Sequence, residues 1–372
     1  MGAGVTPRER SEVADHGSGV TPWAHTGRQG RFRREAAEGL PPQGGMMDEY
    51  SFAAHAEAPD RDALVAELSE LDALTFSHYH GVVHATPEFL RWYTARPGMK
   101  PQLCQAAFRD DRLVANVFVT LAPMMLGGSV VKCGLIDTVM AHPEHRRRGL
   151  ARTLMQRALS AMEAEGADVS LLYTARSEPM LGPERLYRSL GYSPREIVAR
   201  MVRPAQPLPI APARPVAPEA EARLAVEQSL GGRDGWLTLD GDLWRWRRVA
   251  RPTQYPVALH AVGSALAAIC TGELISSGAL RPLAVVSDIA IPEAEDAGAA
   301  LAAIVSAAPS DAPVTVLCPE SDARLAQALA GLGFASTGLE VAMLCPISGR
   351  GKAALAERAD GWYVATESLI GV

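Results

Sequence analysis

The stretch "HPEHRRRGLARTLM", residues 142–155, sets three consecutive arginines directly before a glycine and the start of a helical pattern. A helix start already carries partial positive charge on its unpaired N–H groups, so three guanidiniums there repel unless an anion sits among them. Such N–H groups are a ready anion site, most often for phosphate. Gly149 and Ala151 are small, so a diphosphate can approach the backbone closely. Arg146, Arg147 and Arg148 add charge-assisted donors. A merely solvated basic helix start fits the same spacing equally well. The G-x-x-x-x-G-K-[ST] phosphate loop of nucleotide hydrolases does not occur.

The flanking elements must hold this loop. "VVKCGLIDTVM" (130–140) reads as the strand before it and follows the "GG" turn at 127–128. Leu150, Leu154, Ala158 and Met162 recur every four residues, predicting a helix from about Gly149 to Glu165 with Gly166 as its stop. "VSLLYT" (169–174) is the next strand, "PERLYRSLG" (183–191) a short helix, and "REIVARMVR" (195–203) a closing strand. Upstream, "DALVAELSELDALTF" (62–76) has helical spacing, and "LCQAAF" and "LVANVFVTL" read as strands around the turn "RDDR". The order predicts an α/β sheet, mixed and mostly antiparallel, flanked by helices, with one strand–helix–strand unit at its centre.

A Pro-rich stretch, "RPAQPLPIAPARPVAPEA", divides the patterned sequence, because it cannot continue a helix or a central strand. The two halves repeat each other in order. "LRWYTARPGMKP" (90–101) matches "WRWRRVARPTQYP" (244–256) with one insertion. "HPEHRRRGLA" (142–151) matches "IPEAEDAGAA" (291–300), and "LYRSLGYSPREIVARMVRP" (186–204) matches "ALAGLGFASTGLEVAMLCP" (328–346). The expected organisation is a disordered extension over 1–45, a first domain over 46–203, a linker over 204–220 and a second domain with a C-terminal tail over 221–372. The extension is rich in Gly, Pro and Arg and repeats "GVTP", and the patterned sequence begins just after Met46 and Met47.

Composition narrows the function classes. A net charge of −6 argues against a general nucleic-acid role. No apolar run reaches the ~20 residues of a membrane span. The five cysteines, Cys104, Cys133, Cys270, Cys318 and Cys345, form no CxxC pair and are odd in number, which fits reduced cytoplasmic thiols buried in cores. No cluster of metal-ligand spacing occurs. Tyr187 on an amphipathic helix, and Trp244 and Trp246, read as core residues by type.

R-x-x-G-x-A at 146–151, after a strand ending in a "HP" turn, together with "LYRSLGY" (186–192), resembles the GNAT acetyltransferase superfamily. The resemblance covers about residues 50–203 strongly, with the second half similar to a decayed copy. It implies two tandem GNAT-like domains. The implied activity is direct acetyl transfer from acetyl-CoA, as co-substrate and without a metal, to a primary amine of a small molecule or peptide. Residue by residue, it implies that the backbone of Thr138, Val139 and Met140 pairs with the pantetheine arm and polarises the thioester carbonyl. It implies that Arg146, Arg147, Arg148, Gly149, Leu150 and Ala151 hold the diphosphate, and that Tyr187 protonates the leaving thiolate. For the base, Asp137 beside the pantetheine strand is one candidate, the cluster His78, His80 and His84 another, and a water chain a third.

Enhanced intracellular survival-type acetyltransferases also pair two GNAT copies with an arginine triplet in the first, and they use the terminal carboxylate as base. Their third domain has no counterpart here. By that analogy Val372 is a further candidate base. In the second copy Glu295, Asp296 and Ala297 stand where the triplet stands, and Leu329 stands where Tyr187 does. Acidic side chains repel a diphosphate and leucine has no proton to give, so the second copy is expected to bind no CoA. Alternatives are a non-catalytic CoA sensor or interaction scaffold, O-acylation, or transfer of a longer acyl group. Homo-oligomerisation is left open.

Overall fold

The computed structural model describes residues 49–76, 80–177, 180, 182–276 and 279–365. The extension expected over 1–45 lies outside them. The first copy runs β1 (Ser51–Ala54), α1 (Arg61–Phe76), β2 (His80–Val83), α2 (Pro87–Thr94), β3 (Gln105–Arg109), β4 (Arg112–Leu126), β5 (Ser129–Ala141), α3 (Leu150–Ala164), β6 (Val169–Arg176), α4 (Gly182–Ser189) and β7 (Ser193–Arg203). The second runs β8 (Arg214–Val216), α5 (Ala220–Leu230), α6 (Gly241–Arg248), β9 (Val257–Val262), β10 (Ala265–Ser276), β11 (Ala279–Ala290), α7 (Ala297–Ser306), β12 (Val314–Pro319), α8 (Ala323–Gly331), β13 (Ala335–Pro346) and α9 (Gly349–Ala356).

Tight turns set the first meander. Asp110 and Asp111 join β3 to β4 at φ 50° and 60°, a region that Asp tolerates better than most residues. Gly127 and Gly128 join β4 to β5 with both φ positive, as a two-residue hairpin of the right twist requires. The chain then crosses through α3 to β6, which lies parallel to β5. The predicted stripe Leu150, Leu154, Ala158 and Met162 packs on the sheet, none more than 2% exposed. The packing is close: a Cβ on Gly134 of β5 would stand 1.9 Å from the sulfur of Met162.

The two copies do not form two separate sheets. The order is β1-β3-β4-β5-β6-β13-β7-β12-β11-β10-β9-β8, so each copy's last strand is inserted beside the other copy's strands. β13 runs antiparallel between β6 and β7, with Ala342 opposite Tyr173 and Val341 opposite Ile197. β7 in turn pairs with β12, Val316 opposite Met201. Two lesser pairings reinforce the exchange. β2 lies against β10 of the second copy, and Leu237 bridges to Met124 on β4 of the first. The Pro-rich stretch contributes β8 at the sheet edge, where a strand tolerates proline.

Among the described residues, three clusters fill the interior. One lies under α3 and α4 and includes Val119, Ile136, Met155, Leu172 and Tyr187. Its counterpart under α7 and α8 includes Ile269, Val286, Ile304, Val316 and Leu329. The third, on the opposite face, spans both copies through Phe89, Phe118, Leu135, Trp236, Trp244 and Trp246. Trp244 and Trp246 are therefore core residues, and Trp246 also meets the other copy. Its ring stacks on Trp92 at 4.3 Å and 6°.

Candidate active site

β5 and β6 pair at only three positions, Cys133 with Val169, Gly134 with Ser170 and Leu135 with Leu171. Beyond these, β5 runs on to Ala141 and β6 to Arg176 without pairing each other. A strand that leaves its neighbour in this way exposes backbone donors and acceptors along the gap. Thr138, Val139 and Met140 lie along this free stretch.

A β-bulge occupies the same stretch. Asn116 pairs with Met140 and Phe118 with Asp137, so β5 sets Thr138 and Val139 against Val117 alone. Thr138 takes φ 50°, which turns the local peptide out of the ladder. Asn116 Nδ2 donates to the Thr138 carbonyl at 3.3 Å, and His55 bonds Asn116 Oδ1 at 2.7 Å. Burial holds the His55 imidazole down at about 4, against the raising effect of that bond.

The arginine loop follows. Gly149 occupies the N-cap of α3 at φ 84° with no side chain to cap the helix, and the first turn carries no acidic residue. The first intrahelical bond there runs from Thr153 N to the Gly149 carbonyl. The N–H groups of Leu150, Ala151 and Arg152 therefore begin the helix without intrahelical acceptors. Arg147, at φ 62°, and Arg146 are exposed, and Arg148 is half-buried. Arg146 Nε donates to the Ala141 carbonyl at 3.2 Å, tying the loop to the end of β5. Tyr50 meets His145 Nδ1 at 2.9 Å. Burial, then His142, Arg109 and Arg148, push the His145 imidazole below its ordinary value.

Tyr187 lies on α4 and is 6% exposed, in the cluster under α3 and α4. It meets Tyr192 edge-on at 6.0 Å. Tyr192 bonds Ser170 at 2.7 Å, and burial pushes its phenol well above the ordinary value, so Tyr192 stays protonated.

Asp137 faces the other side of the sheet. Arg96 donates to its Oδ2 at 2.7 Å and Thr138 Oγ1 to its Oδ1 at 3.1 Å, with the Arg96 and Asp137 side chains 3% and 1% exposed. Both carboxylate oxygens are thus engaged, and the group is shut off from solvent. The only sequence signal at Arg96 is "ARP" at 95–97, which recurs at 250–252 inside a matched segment. His84 is half-buried and its backbone N–H donates to Tyr255 Oη at 3.0 Å in the second copy. The side chain of His80, all of His78, and Val372 lie outside the described residues.

The second copy keeps the backbone plan and closes it. Leu266 pairs with Ala290 and Ala268 with Ser287, so Asp288 and Ile289 form the same bulge, again at φ 50°. Asp296 caps α7 by accepting from Ala299 N at 3.1 Å. Glu295 accepts from the backbone and side chain of Ser264, which holds its carboxyl below the usual range. Leu329 is fully buried core. The gap where β11 and β12 part is filled by the tail. Trp362, Tyr363 and Val364 line it with Ser287, Asp288 and Leu317 and leave about 50 Å³. Small-molecule sites usually offer several hundred. Tyr363 donates to Asp288 at 2.7 Å, while Arg247 and Arg248 pair with the same carboxylate.

A family model of the acetyltransferase (GNAT) domain matches residues 66–195. No curated protein sequence matches the chain. A GCN5-related N-acetyltransferase from Anabaena variabilis aligns with TM-score 0.57 and 17% identity over 80% of this chain and 73% of its own. Saccharomyces cerevisiae N-myristoyltransferase with bound myristoyl-CoA aligns with TM-score 0.63 and 11% identity over 88% and 87%. Eis1 from Mycobacterium abscessus aligns with TM-score 0.48 and 15% identity over 80% and 73%. The first two likenesses establish a shared fold. The matched segment carries the bulge, the arginine loop and Tyr187, and the match supports an acyltransferase.

Proposed function

We propose that the first copy transfers an acetyl group from acetyl-CoA to a primary amine of a small molecule or peptide. The observation that carries this reading is a juxtaposition on one strand. A bulge at Thr138 lies where β5 and β6 part, and β5 leads through the loop 142–149 into an uncapped helix start beside three arginines. An extended thioester carrier with a diphosphate needs both at once. The diphosphate would rest on Arg146, Arg147, Arg148 and the N–H groups of Gly149, Leu150 and Ala151. The pantetheine arm would run along Thr138, Val139 and Met140. A bulge N–H would stabilise the oxyanion as the amine attacks the thioester carbonyl. The yeast structure of the same fold holds an acyl-CoA.

Tyr187 then protonates the departing thiolate. A phenol of pKa ~10 suits a thiolate leaving group and stays protonated at neutral pH. Asp137, engaged by Arg96 and Thr138, anchors the bulge, and the ammonium proton of the acceptor leaves through water. The second copy binds no CoA, because Asp296 caps its helix and the tail fills its gap. The described helices include none long and apolar enough to cross a membrane, and the five buried cysteines are free thiols, which suits the cytoplasm.

The test is thiol release from acetyl-CoA across a panel of amines, with calorimetry of acetyl-CoA binding. Tyr187→Phe keeps the buried ring and removes the proton. It should lower kcat at least about a hundredfold and leave acetyl-CoA affinity unchanged. Tight binding by the wild type without turnover on any amine would favour a CoA sensor instead. No binding at all would defeat both readings.

A further inference from the structure

Two matched segments meet across the copies. In "LRWYTARP" and "WRWRRVARP", Trp92 aligns with Trp246 and Arg96 with Arg251. The two tryptophans stack on each other. The guanidinium carbon of Arg251 lies 4.3 Å above the Trp92 ring, and that of Arg96 lies 5.5 Å from the Trp246 ring. Each copy thus covers its partner's arginine with its own tryptophan, the self-complementary contact a two-fold relation produces. The Trp246 indole N–H also donates to the Trp92 carbonyl at 2.9 Å, which fixes its ring.

The chemistry beyond the pair is unequal. Arg251 continues to a backbone carbonyl, that of Tyr255, and to the Cys270 sulfur. Arg96 instead continues to the buried carboxylate of Asp137, whose other oxygen takes the hydroxyl of Thr138, the residue at φ 50° in the bulge. Tyr93 holds the near face of Arg96 at 4.6 Å, and Trp246 borders it from the second copy.

We propose that Trp246 is a positioning residue for acetyl transfer. The degenerate copy fixes Arg96, Arg96 fixes Asp137, and Asp137 fixes the bulge that holds the oxyanion. This rests on the acetyltransfer reading above. A small misplacement of an oxyanion donor is enough to cost a large factor in rate, while the diphosphate loop, held by other residues, keeps its affinity.

The test compares Trp246→Leu with Trp246→Phe and with the mirror variant Arg251→Met in the full chain. Trp246→Leu should lower kcat tenfold or more, with KM for acetyl-CoA within twofold of wild type. Trp246→Phe, which keeps an aromatic ring beside Arg96, should recover most of that loss. Arg251→Met should keep kcat. A second readout needs no turnover: amide hydrogen exchange over residues 136–141 of the unliganded protein should quicken in Trp246→Leu and not in Arg251→Met. Wild-type kcat and exchange in a cooperatively folding Trp246→Leu would overturn the proposal. So would equal losses in Trp246→Leu and Arg251→Met, because both would then report general packing. Failure of the wild type to turn over would defeat the acetyltransfer reading, and the exchange data would still decide whether Trp246 holds the bulge.

Discussion

The two copies share a backbone and differ in what they leave open. Both have a parallel strand pair that parts after three residue pairs, and both have a bulge with a non-glycine residue at φ 50°. In the first copy Thr138 stands at the bulge and Gly149 starts the following helix without a cap. In the second, Asp288 stands at the bulge and anchors Arg247, Arg248 and Tyr363, while Asp296 supplies the helix cap from its own side chain. The α7 cap falls at the position aligned with Arg147, so the second helix begins two residues earlier in the matched segment. A helix start favours an anion. The second copy supplies one from its own side chain, and on the proposed reading the first takes it from the diphosphate of CoA. The contrast lies in a few side chains and a two-residue shift of the helix start on a shared sheet plan.

Transplanting the second copy's loop is the harshest test of that contrast. The triple change Arg146→Glu, Arg147→Asp, Arg148→Ala should weaken acetyl-CoA binding at least about a hundredfold by calorimetry, since each charge-assisted bond is worth roughly 1.5–3 kcal/mol. Undiminished affinity would dissolve the comparison. The reverse change, Glu295→Arg with Asp296→Gly, should create no second site, because Trp362 to Val364 still occupy the gap. The binding stoichiometry should stay unchanged.

Asp288→Asn addresses the bulge of the closed copy. It leaves Arg247 and Arg248 buried without their counter-charge, and removing one member of such a group costs about 3–5 kcal/mol. Urea denaturation at neutral pH measures this. The same carboxylate sets an acid limit. Burial alone would raise its pKa, but Arg247, Arg248 and the Tyr363 hydroxyl bring it down to about 2. The unfolded value is ~3.9, so this stabilisation is complete above about pH 4 and is lost as pH falls towards 2. Asp288→Asn should flatten that part of the stability profile.

Asp72 in α1 of the first copy titrates in the opposite sense, with a smaller effect. Burial pushes its carboxyl up to about 7, despite a backbone bond to Ala85. The folded protein favours its protonated form, so stability is full below about pH 4 and falls as pH rises through about 7. Asp72→Asn should gain roughly 1–3 kcal/mol at pH 8 and almost nothing at pH 4. A thermal melt at the two pH values separates this from a uniform effect.

Much of the first copy was legible in the sequence. Period-four leucines and alanines gave α3, alternating and continuous apolar runs gave β4 to β7, and the turn residues placed the hairpins. Arg146 to Ala151 sit at a helix start, as their spacing implied, and Tyr187 sits on the short helix expected for it. By the family resemblance, Asp137 is one candidate base beside the pantetheine strand. The fold buries it against Arg96, a residue more than forty positions upstream in another element. No local pattern signals that pairing.

The sequence by itself determined the elements, the repeat and the charge contrast between the two loops, because these depend on neighbouring residues and on the period of burial. The tertiary structure alone decided which strand lies beside which. β13 enters between β6 and β7, and the tail fills the second gap, because edge strands and apolar tails take whatever partner completes their hydrogen bonds and buries their surface. The link from Trp246 to Thr138 exists only once that exchange has brought the two copies face to face.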